Sequence, residues 1–326
     1  MELSVEQYQE LYRILRQYPL EVSHLELLQY HGRAVARVET PDAPYVLRVS
    51  YPLTRVERVR EELDWLQALR HDTDLIVPSP VANKQGEFIT SWGVDEGEPL
   101  QYCLLFNWVE GDSVRDSLST ETATAVGVVL ARLHRHAQAY TAARATAFVG
   151  PRYDFNWLLG PASWWADGHA ISDLGSDTYR RLQPAIALAG EAMSRLGEGS
   201  QHFGIIHSDL HFDNILLQND RCALIDFDDC ALGYYLYDLA ITEQAFRYHY
   251  DHTPILAAFH EGYCRERGIP LASLRDIDAF MIAVDVGFLA WILRTDEVEA
   301  RELLLPQVPE HIEHILACAE RAKQSS

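Results

Sequence analysis

Lysine is almost missing from this chain of 326 residues. Lys84 and Lys323 are the only two, although Lys plus Arg totals 27, so every other fixed positive charge is an arginine. Basic residues as a whole are scarce beside 48 Asp plus Glu. The formal net charge of −21 excludes a general nucleic-acid binder, which needs a basic footprint for the phosphate backbone. It leaves room for a surface that receives a cationic ligand. Cysteine is also sparse: Cys103, Cys222, Cys230, Cys264 and Cys318 are odd in number, scattered and never spaced C-x-x-C. That argues against a disulfide framework and a zinc site. Long apolar runs are lacking too. The most apolar stretch, Ala279 to Leu293, is interrupted by Asp285 and falls short of the roughly 20 residues that span a bilayer. The first residues, Met1-Glu2-Leu3-Ser4, lack the basic and apolar regions of a signal peptide. The expectation is a cytoplasmic protein with neither a membrane nor a nucleic-acid partner.

What is present is ordinary globular composition, 48% hydrophobic and 23% charged, enough to bury a core without staples. Residues Ser4 to Tyr18 have the spacing of an amphipathic helix. The pattern then turns to period two, which predicts strands at Leu25–Tyr30, Ala34–Glu39 and Tyr45–Ser50, with a Pro-containing turn between the last two. A helix is expected over about Arg55–Arg70, its apolar face formed by Val56, Val59, Leu63 and Leu66, followed by strands at Glu87–Trp92 and Gln101–Asn107. After Gly111 most of the chain reads as helical, beginning with Thr120–His136. The exceptions are β-like runs at Gly204–His207, Ile215–Gln218 and Cys222–Phe227, and an aperiodic aromatic segment, Phe148–Trp165, expected to be ordered. The outline is α+β: a small antiparallel β lobe over residues 1–109 and a larger, mainly helical lobe over 110–326.

Chemistry concentrates in Ile205-Ile206-His207-Ser208-Asp209-Leu210-His211-Phe212-Asp213-Asn214-Ile215-Leu216 and in Ala223-Leu224-Ile225-Asp226-Phe227-Asp228-Asp229. A carboxylate and an amide share one tight loop between apolar strands, and a second carboxylate sits on the next hairpin arm. Phosphoryl transfer needs such a set: one carboxylate to orient the attacking hydroxyl, and hard oxygen ligands for magnesium. Three other readings exist. His207, His211 and Asp209 could hold a metal, but the flanking β-branched runs favour a loop and no third nitrogen or sulfur ligand is near in sequence. Ser208 could be a nucleophile, but no G-x-S-x-G surrounds it. A plain surface hairpin does not explain polar residues recurring between such apolar flanks.

His-x-Asp with Asn five positions after the Asp, then Ile-Asp-Phe, resembles the aminoglycoside phosphotransferase family, which includes homoserine and choline kinases and bacterial stress-response protein kinases. Leu104 to Gly111 is similar to that family's hinge, Leu130-Ala131-Arg132-Leu133-His134 to its signature helix, and Tyr237-Asp238-Leu239-Ala240 to the helix after the metal site. The resemblance implies a bilobal protein-kinase-like fold, Asp209 as catalytic base, and Asn214 and Asp226 as Mg2+ ligands. It implies His207, His134 and Asp238 as structural supports of the loop. The backbone at Asn107 and Val109 would meet the purine of ATP or GTP, with Phe106 lining the base pocket. Two departures stand out. Ser208, Phe212 and Asp213 occupy positions where Gly, Pro and Gly are common. In the third strand, Arg48 takes the place of the phosphate-gripping lysine, with Glu62 as its expected partner on the following helix. A glycine-rich nucleotide loop is not evident either, since Tyr30-His31-Gly32-Arg33 holds one glycine.

The expected activity is therefore transfer of the γ-phosphoryl of ATP or GTP to a hydroxyl of a small molecule. The alternatives are a serine/threonine protein kinase of the stress-response type and a nucleotide-binding pseudokinase. Asp285, inside an apolar helix, either has a local partner or faces a cleft, where with Asp229, Glu243, Glu261 and the −21 charge it would favour an amine-bearing acceptor.

Overall fold

The computed structural model describes residues 5–30, 33–51, 54–92, 101–144, 148–219, 221–247, 253–295 and 298–325. The expectations that fall on Met1–Ser4 and on His31-Gly32 lie outside these. The chain divides into two compact units, Met1–Gly111 with Ala223–Asp228, and Asp112–Cys222 with Asp229–Ser326.

The first unit is built on a five-stranded sheet. After α1 (Val5–Leu15) come β1 (His24–Tyr30), β2 (Ala34–Glu39), β3 (Tyr45–Val49), α2 (Val56–Asp72), β4 (Thr90–Trp92) and β5 (Gln101–Asn107). The strand order is β1-β2-β3-β5-β4, and all four pairings are antiparallel. The period-two pattern puts Ala36, Val38, Leu47, Val49, Cys103 and Leu105 on one face, where they bury against Leu11, Ile14, Leu15 and Tyr18 at the start of the chain. On α2 the buried residues are Val59, Glu62, Leu63, Trp65, Leu66 and Leu69. The expected strand at Glu87 shortens to Thr90–Trp92 because Asn83 Oδ1 accepts from the N–H groups of Gln85 and Glu87, at 3.0 Å each. This side-chain turn takes the N–H that a strand would need.

The second unit begins with β6 (Asp112–Ser113), α3 (Thr120–Arg144), β7 (Arg152–Tyr153), α4 (Phe155–Leu158), α5 (His169–Leu174) and α6 (Ser176–Leu196). It continues through β8 (Phe203–Ile206), β9 (Ile215–Gln218) and β10 (Arg221–Leu224), the last carrying the chain back into the first unit. Then come β11 (Ala231–Tyr234), α7 (Tyr235–Arg247), α8 (Thr253–Arg267), α9 (Ile277–Arg294), α10 (Val298–Leu304) and α11 (Val308–Ser325). β8 pairs antiparallel with β11, which pairs in parallel with the short β7. The first long helix runs on past the expected His136 to Arg144, and the aromatic segment is ordered, as its composition suggested. Residue 226 lies past the end of β10, so the expected strand to Phe227 stops early, at Leu224.

Two glycines set how closely α3 and α8 approach. A methyl group on Gly127 would stand 2.2 Å from the Phe259 carbonyl oxygen, and one on Gly262 would stand 2.5 Å from that of Thr124. Backbone cannot yield as a flexible side chain does. Alanine is the better helix former by about 1 kcal/mol, yet Gly127→Ala and Gly262→Ala are each expected to destabilise the protein by about 2 kcal/mol or more, because the helices must separate. Urea unfolding of the two variants checks this; a gain in stability at both would refute the close-approach account.

Candidate active site

Arg48 of β3 is buried, and so is Glu62 two turns into α2, 3% exposed. The two side chains form an ion pair. Its burial distinguishes Glu62 from an ordinary solvated helix charge. The Arg48 guanidinium also lies 5.4 Å from the centre of the Phe106 ring and 3.5 Å from Asp226 Oδ1. Burial alone would favour its neutral form, but Glu62, Asp228 and Asp226 outweigh this and keep it charged.

Asp226 lies just past β10, which is anchored by a Leu224 N–H to Ile76 carbonyl bond of 2.9 Å. Its φ is +60°, a left-handed conformation that Asp tolerates better than most residues. Next to it, the buried Phe227 packs edge-on against Trp65 of α2, centroids 5.4 Å apart. Arg33 was not singled out from sequence as a site residue, yet it reaches the same carboxylate: its Nη2 donates to Asp226 Oδ2 at 2.9 Å, and its Nη1 pairs with Asp228. Burial would raise the Asp226 pKa; Arg48 and Arg33 overcome that and bring it down to about 2. At the end of β5, the Asn107 N–H donates to the Ser79 carbonyl at 3.0 Å, so a base edge could use only its carbonyl. Val109 is half-buried in the next loop.

In the second unit, β8 ends at Ile206 and the loop begins with His207, fully buried. The fully buried Asp238 of α7 accepts from the N–H of His207 at 2.9 Å and of Ser208 at 2.6 Å. These bonds hold Ser208 at φ +66°, which explains why glycine is common at this position in the family it resembles. Asp238 also meets His134 Nε2 at 3.1 Å, and the Tyr263 hydroxyl meets His134 Nδ1 at 2.9 Å. A carboxylate can only accept, so Nε2 carries the proton, and Nδ1 accepts from the tyrosine. Burial pushes the His134 pKa down despite Asp238, consistent with a neutral ring. Burial would raise the pKa of Asp238, but His134 and His207 outweigh it and lower it. The sequence-based assignment of His134, His207 and Asp238 as loop supports agrees with this geometry.

The loop presents Asp209 with its side chain 42% exposed. Asn214 is buried, its Nδ2 donating to the Asp209 carbonyl at 2.8 Å and to Asp209 Oδ2 at 3.0 Å. Its carbonyl oxygen therefore points away from Asp209. Phe212, in place of a common proline, is buried against Phe246 with centroids 4.9 Å apart. Asp213 is tied to Arg115 at 2.8 Å. His211 Nε2 lies 3.5 Å from Asp209 Oδ2, but among the described residues His207, His211 and Asp209 form no metal-type cluster.

Asp285 has local partners and is fully buried. Gln244 and His311 reach Oδ1 at 2.7 and 2.8 Å, and His314 reaches Oδ2 at 2.7 Å. Cys318 lies 3.6 Å beyond His314 and receives the Arg321 guanidinium at 3.0 Å. Asp285, His314 and Cys318 are metal-type donors lying close together. Each carboxylate oxygen, however, already accepts a side-chain hydrogen bond, and a fixed cation stands at the sulfur. The group is a buried hydrogen-bonded network in which both carboxylate oxygens of Asp285 are engaged. Glu243 is likewise engaged, by His260 at 2.7 Å.

A divalent magnesium ion requires hard oxygen donors. Asp226, held deprotonated, and the carbonyl oxygen of Asn214 are chemically suited to it.

These buried groups make stability depend on pH and on charge. Because His134 is neutral when folded but titrates near 6.5 when unfolded, the unfolded chain binds the extra proton as pH falls. Stability from this group is complete above that value and declines below it, by at most about 1.4 kcal/mol per pH unit. His134→Gln, which keeps a donor towards Asp238, should flatten that part of the slope in urea unfolding between pH 7 and 5. An unchanged slope would disprove the assignment. Arg48→Ala strands the Glu62 carboxylate in the interior and is expected to cost about 3–5 kcal/mol, measurable in the same way. Arg48→Lys should retain most of the stability, since the charge remains.

Residues 27–277 match the model of the phosphotransferase enzyme family, APH. The homoserine kinase of Beijerinckia indica subsp. indica is 27% identical over 231 residues, covering 70% of this chain and 61% of that protein. The chain thus spans about three-fifths of the length of the first curated relatives it matches. Among solved structures, a microcompartment-associated aminopropanol kinase superposes with a TM-score of 0.75 at 25% identity, covering 98% of this chain and 97% of the other. An amicoumacin kinase in complex with AMP-PNP, Ca2+ and Ami gives a TM-score of 0.71 at 18% identity, covering 95% and 94%. The family match takes in β2, β3, α2, Asp209, Asn214 and Asp226 together, and the chain belongs to the APH phosphotransferase enzyme family, with its protein-kinase-like α+β fold.

Proposed function

We propose that this protein is a Mg2+-dependent kinase that moves the γ-phosphoryl of ATP, or of GTP, to a hydroxyl of a small amine-bearing molecule. The observation that carries the reading is the Asp209–Asn214 pair, fixed on a strained loop by the buried Asp238. In this reading residues 1–109 hold the nucleotide and residues 110–326 supply the base and the acceptor site, with Asp226 serving the nucleotide side. Arg48, oriented by Glu62, grips phosphate oxygens through its planar fork. Phe106 lines the base pocket, and the Asn107 carbonyl and the Val109 N–H face the purine edge. Bound magnesium would spread the negative charge of the phosphates. Asn214 and Asp226 would hold it. Asp209, partly exposed, accepts the hydroxyl proton of the acceptor and aligns its oxygen for in-line attack. Asn214 holds the Asp209 carboxylate in position by its 3.0 Å bond.

The acceptor's amine is supported by two lines. Aminopropanol and homoserine, named in the similar proteins, both carry an amine beside a hydroxyl. Within the second unit, the buried Tyr237 hydroxyl has its pKa raised by burial, and then by Tyr153, Asp238 and Asp209, so it lies in the field of the base. Tyr153 meets the Tyr237 ring edge-on at 5.6 Å and runs parallel to Trp157 at 6.5 Å. Trp157 is 51% exposed. Aromatic faces attract ammonium groups, which assigns to this row the role first considered for Asp285. The small-molecule reading is preferred to a protein kinase on these grounds. An intact Asp209, Asn214 and Asp226 set favours turnover over binding alone.

The test is nucleoside diphosphate release with amino alcohols, amino sugars, neutral diols and generic protein substrates. Turnover should be fastest with an amine-bearing alcohol, and Trp157→Ala should raise acceptor KM several-fold without changing nucleotide KM. Asp209→Asn should lower turnover by about 1,000-fold or more while nucleotide affinity stays within about two-fold. Equal use of a neutral diol would remove the amine from the reading, and substantial turnover by Asp209→Asn would remove the base.

A further inference from the structure

Arg33 leads into β2 directly after the segment where a glycine-rich nucleotide loop is usual, and it is only 8% exposed. It donates from Nη2 to Asp226 Oδ2 at 2.9 Å, lies 3.5 Å from Asp226 Oδ1 through Nη1, and pairs through Nη1 with Asp228. Arg48 approaches Asp226 Oδ1 at 3.5 Å. One carboxylate thus faces two guanidiniums, and both its oxygens are addressed. The seat is not a perfect one. Arg33 Nε is buried without a hydrogen-bond partner, a deficit that costs about 1–3 kcal/mol in a folded interior. The Tyr51 ring, 5.7 Å away, offers it a face but no acceptor. Asp228 is held as well through its backbone carbonyl, which accepts from Arg58 at 2.6 Å.

A divalent cation on Asp226 competes with the guanidinium for the same carboxylate. Two unit positive charges 4 Å apart repel by about 4 kcal/mol near a protein surface, and a divalent ion doubles that. That repulsion weakens the hold on Arg33, and its planar fork matches phosphate oxygens as well as carboxylate oxygens. No lysine competes for the task. Lys84, the only lysine of this unit, is exposed and donates to the Arg16 carbonyl at 2.8 Å.

We propose that Arg33 is an exchangeable counter-ion: it neutralises Asp226 and Asp228 in the nucleotide-free protein and transfers to the polyphosphate when the metal–nucleotide complex arrives. It then serves as a second cationic phosphate ligand beside Arg48, in place of a glycine-rich loop. The inference rests on the kinase reading above and adds a residue and an order of events to it.

The experiment is calorimetric titration of the full-length protein and of Arg33→Gln and Arg33→Lys, with no acceptor present. Three titrants are used: Mn2+ alone, ADP in EDTA, and ADP with Mg2+. Removing the competing cation should tighten Mn2+ binding to Arg33→Gln by about tenfold. Removing a phosphate ligand should weaken ADP at saturating Mg2+, where the guanidinium is already displaced, by about tenfold or more, while ADP in EDTA changes less. Arg33→Lys, which keeps a charge but lacks the fork, should move both affinities in the same directions by less, and stands in for the glutamine variant should that fail to fold. The opposite signs are the signature, because a purely structural ion pair, once lost, would not improve metal binding. Unchanged or weaker Mn2+ binding, or unchanged ADP binding at saturating Mg2+, would overturn the exchange while leaving the kinase reading intact. A wild-type protein that binds ADP under neither condition would overturn both.

Discussion

A carboxylate taken out of water must be given donors that cannot move away, and Asp238 is the point where this protein meets that demand most fully. It is buried completely, and its donors are two consecutive backbone N–H groups and a neutral imidazole. Backbone donors come at no cost in side-chain entropy, and a buried histidine that stays neutral brings no second charge to desolvate. The consequence for the loop is conformational. Satisfying Asp238 turns the Ser208 N–H inward, which sets φ at +66° and carries the next residue, Asp209, outward into solvent. The exposed carboxylate of Asp209 is thus placed by the buried one of Asp238. Further along the loop, the Asn214 amide and a 2.9 Å bond from the Thr242 hydroxyl to the Leu210 carbonyl hold the backbone in place.

The first unit meets the same demand with guanidinium. Glu62, Asp226 and Asp228 gather near Arg33, Arg48 and Arg58. In a chain with two lysines, arginine suits the task because it remains charged when buried and presents several donors in one plane. Lysine, compact and strongly hydrated, would satisfy one carboxylate and lose more on leaving water. The replacement at position 48 therefore belongs with Arg33 and is not an isolated change: two forks divide between Glu62, Asp226 and Asp228 what a single lysine could not reach.

Much of this was legible in the sequence because it is local. Period two along β2 and the 3.6-residue period of α2 are set by the backbone repeat of the element that carries them, and the five-residue spacing from Asp209 to Asn214 is confined to one short loop. Placing Glu62 on the inner side of α2 needed only the apolar stripe of Val59, Leu63 and Leu66 beside it. Arg33 was illegible because its partners lie 193 and 195 residues away, and a lone arginine in a loop looks like any solvated charge. The partners of Asp285 were hidden for the same reason, since His311 and His314 come from α11, two helices later. The shortened β4 turned on one asparagine side chain competing for backbone N–H groups, which hydrophobic periodicity does not register.

Among the described residues three non-glycine positions have positive φ: Ser208, Asn219 and Asp226. Asn219 comes after β9 in a turn, an ordinary place for asparagine. The other two flank or form the candidate site, and each lies between well-packed neighbours: Ile206 and Leu210 around Ser208, Leu224 and Phe227 around Asp226. Left-handed backbone costs an L-residue about 1–2 kcal/mol, so it persists only where the surroundings fix it. At Ser208 the fixing groups are Asp238 and a hydroxyl bond to the Asp229 carbonyl; at Asp226 they are two guanidiniums. A glycine would adopt either conformation freely, and would also leave it freely. Serine and aspartate trade that freedom for side-chain bonds that hold each turn in place.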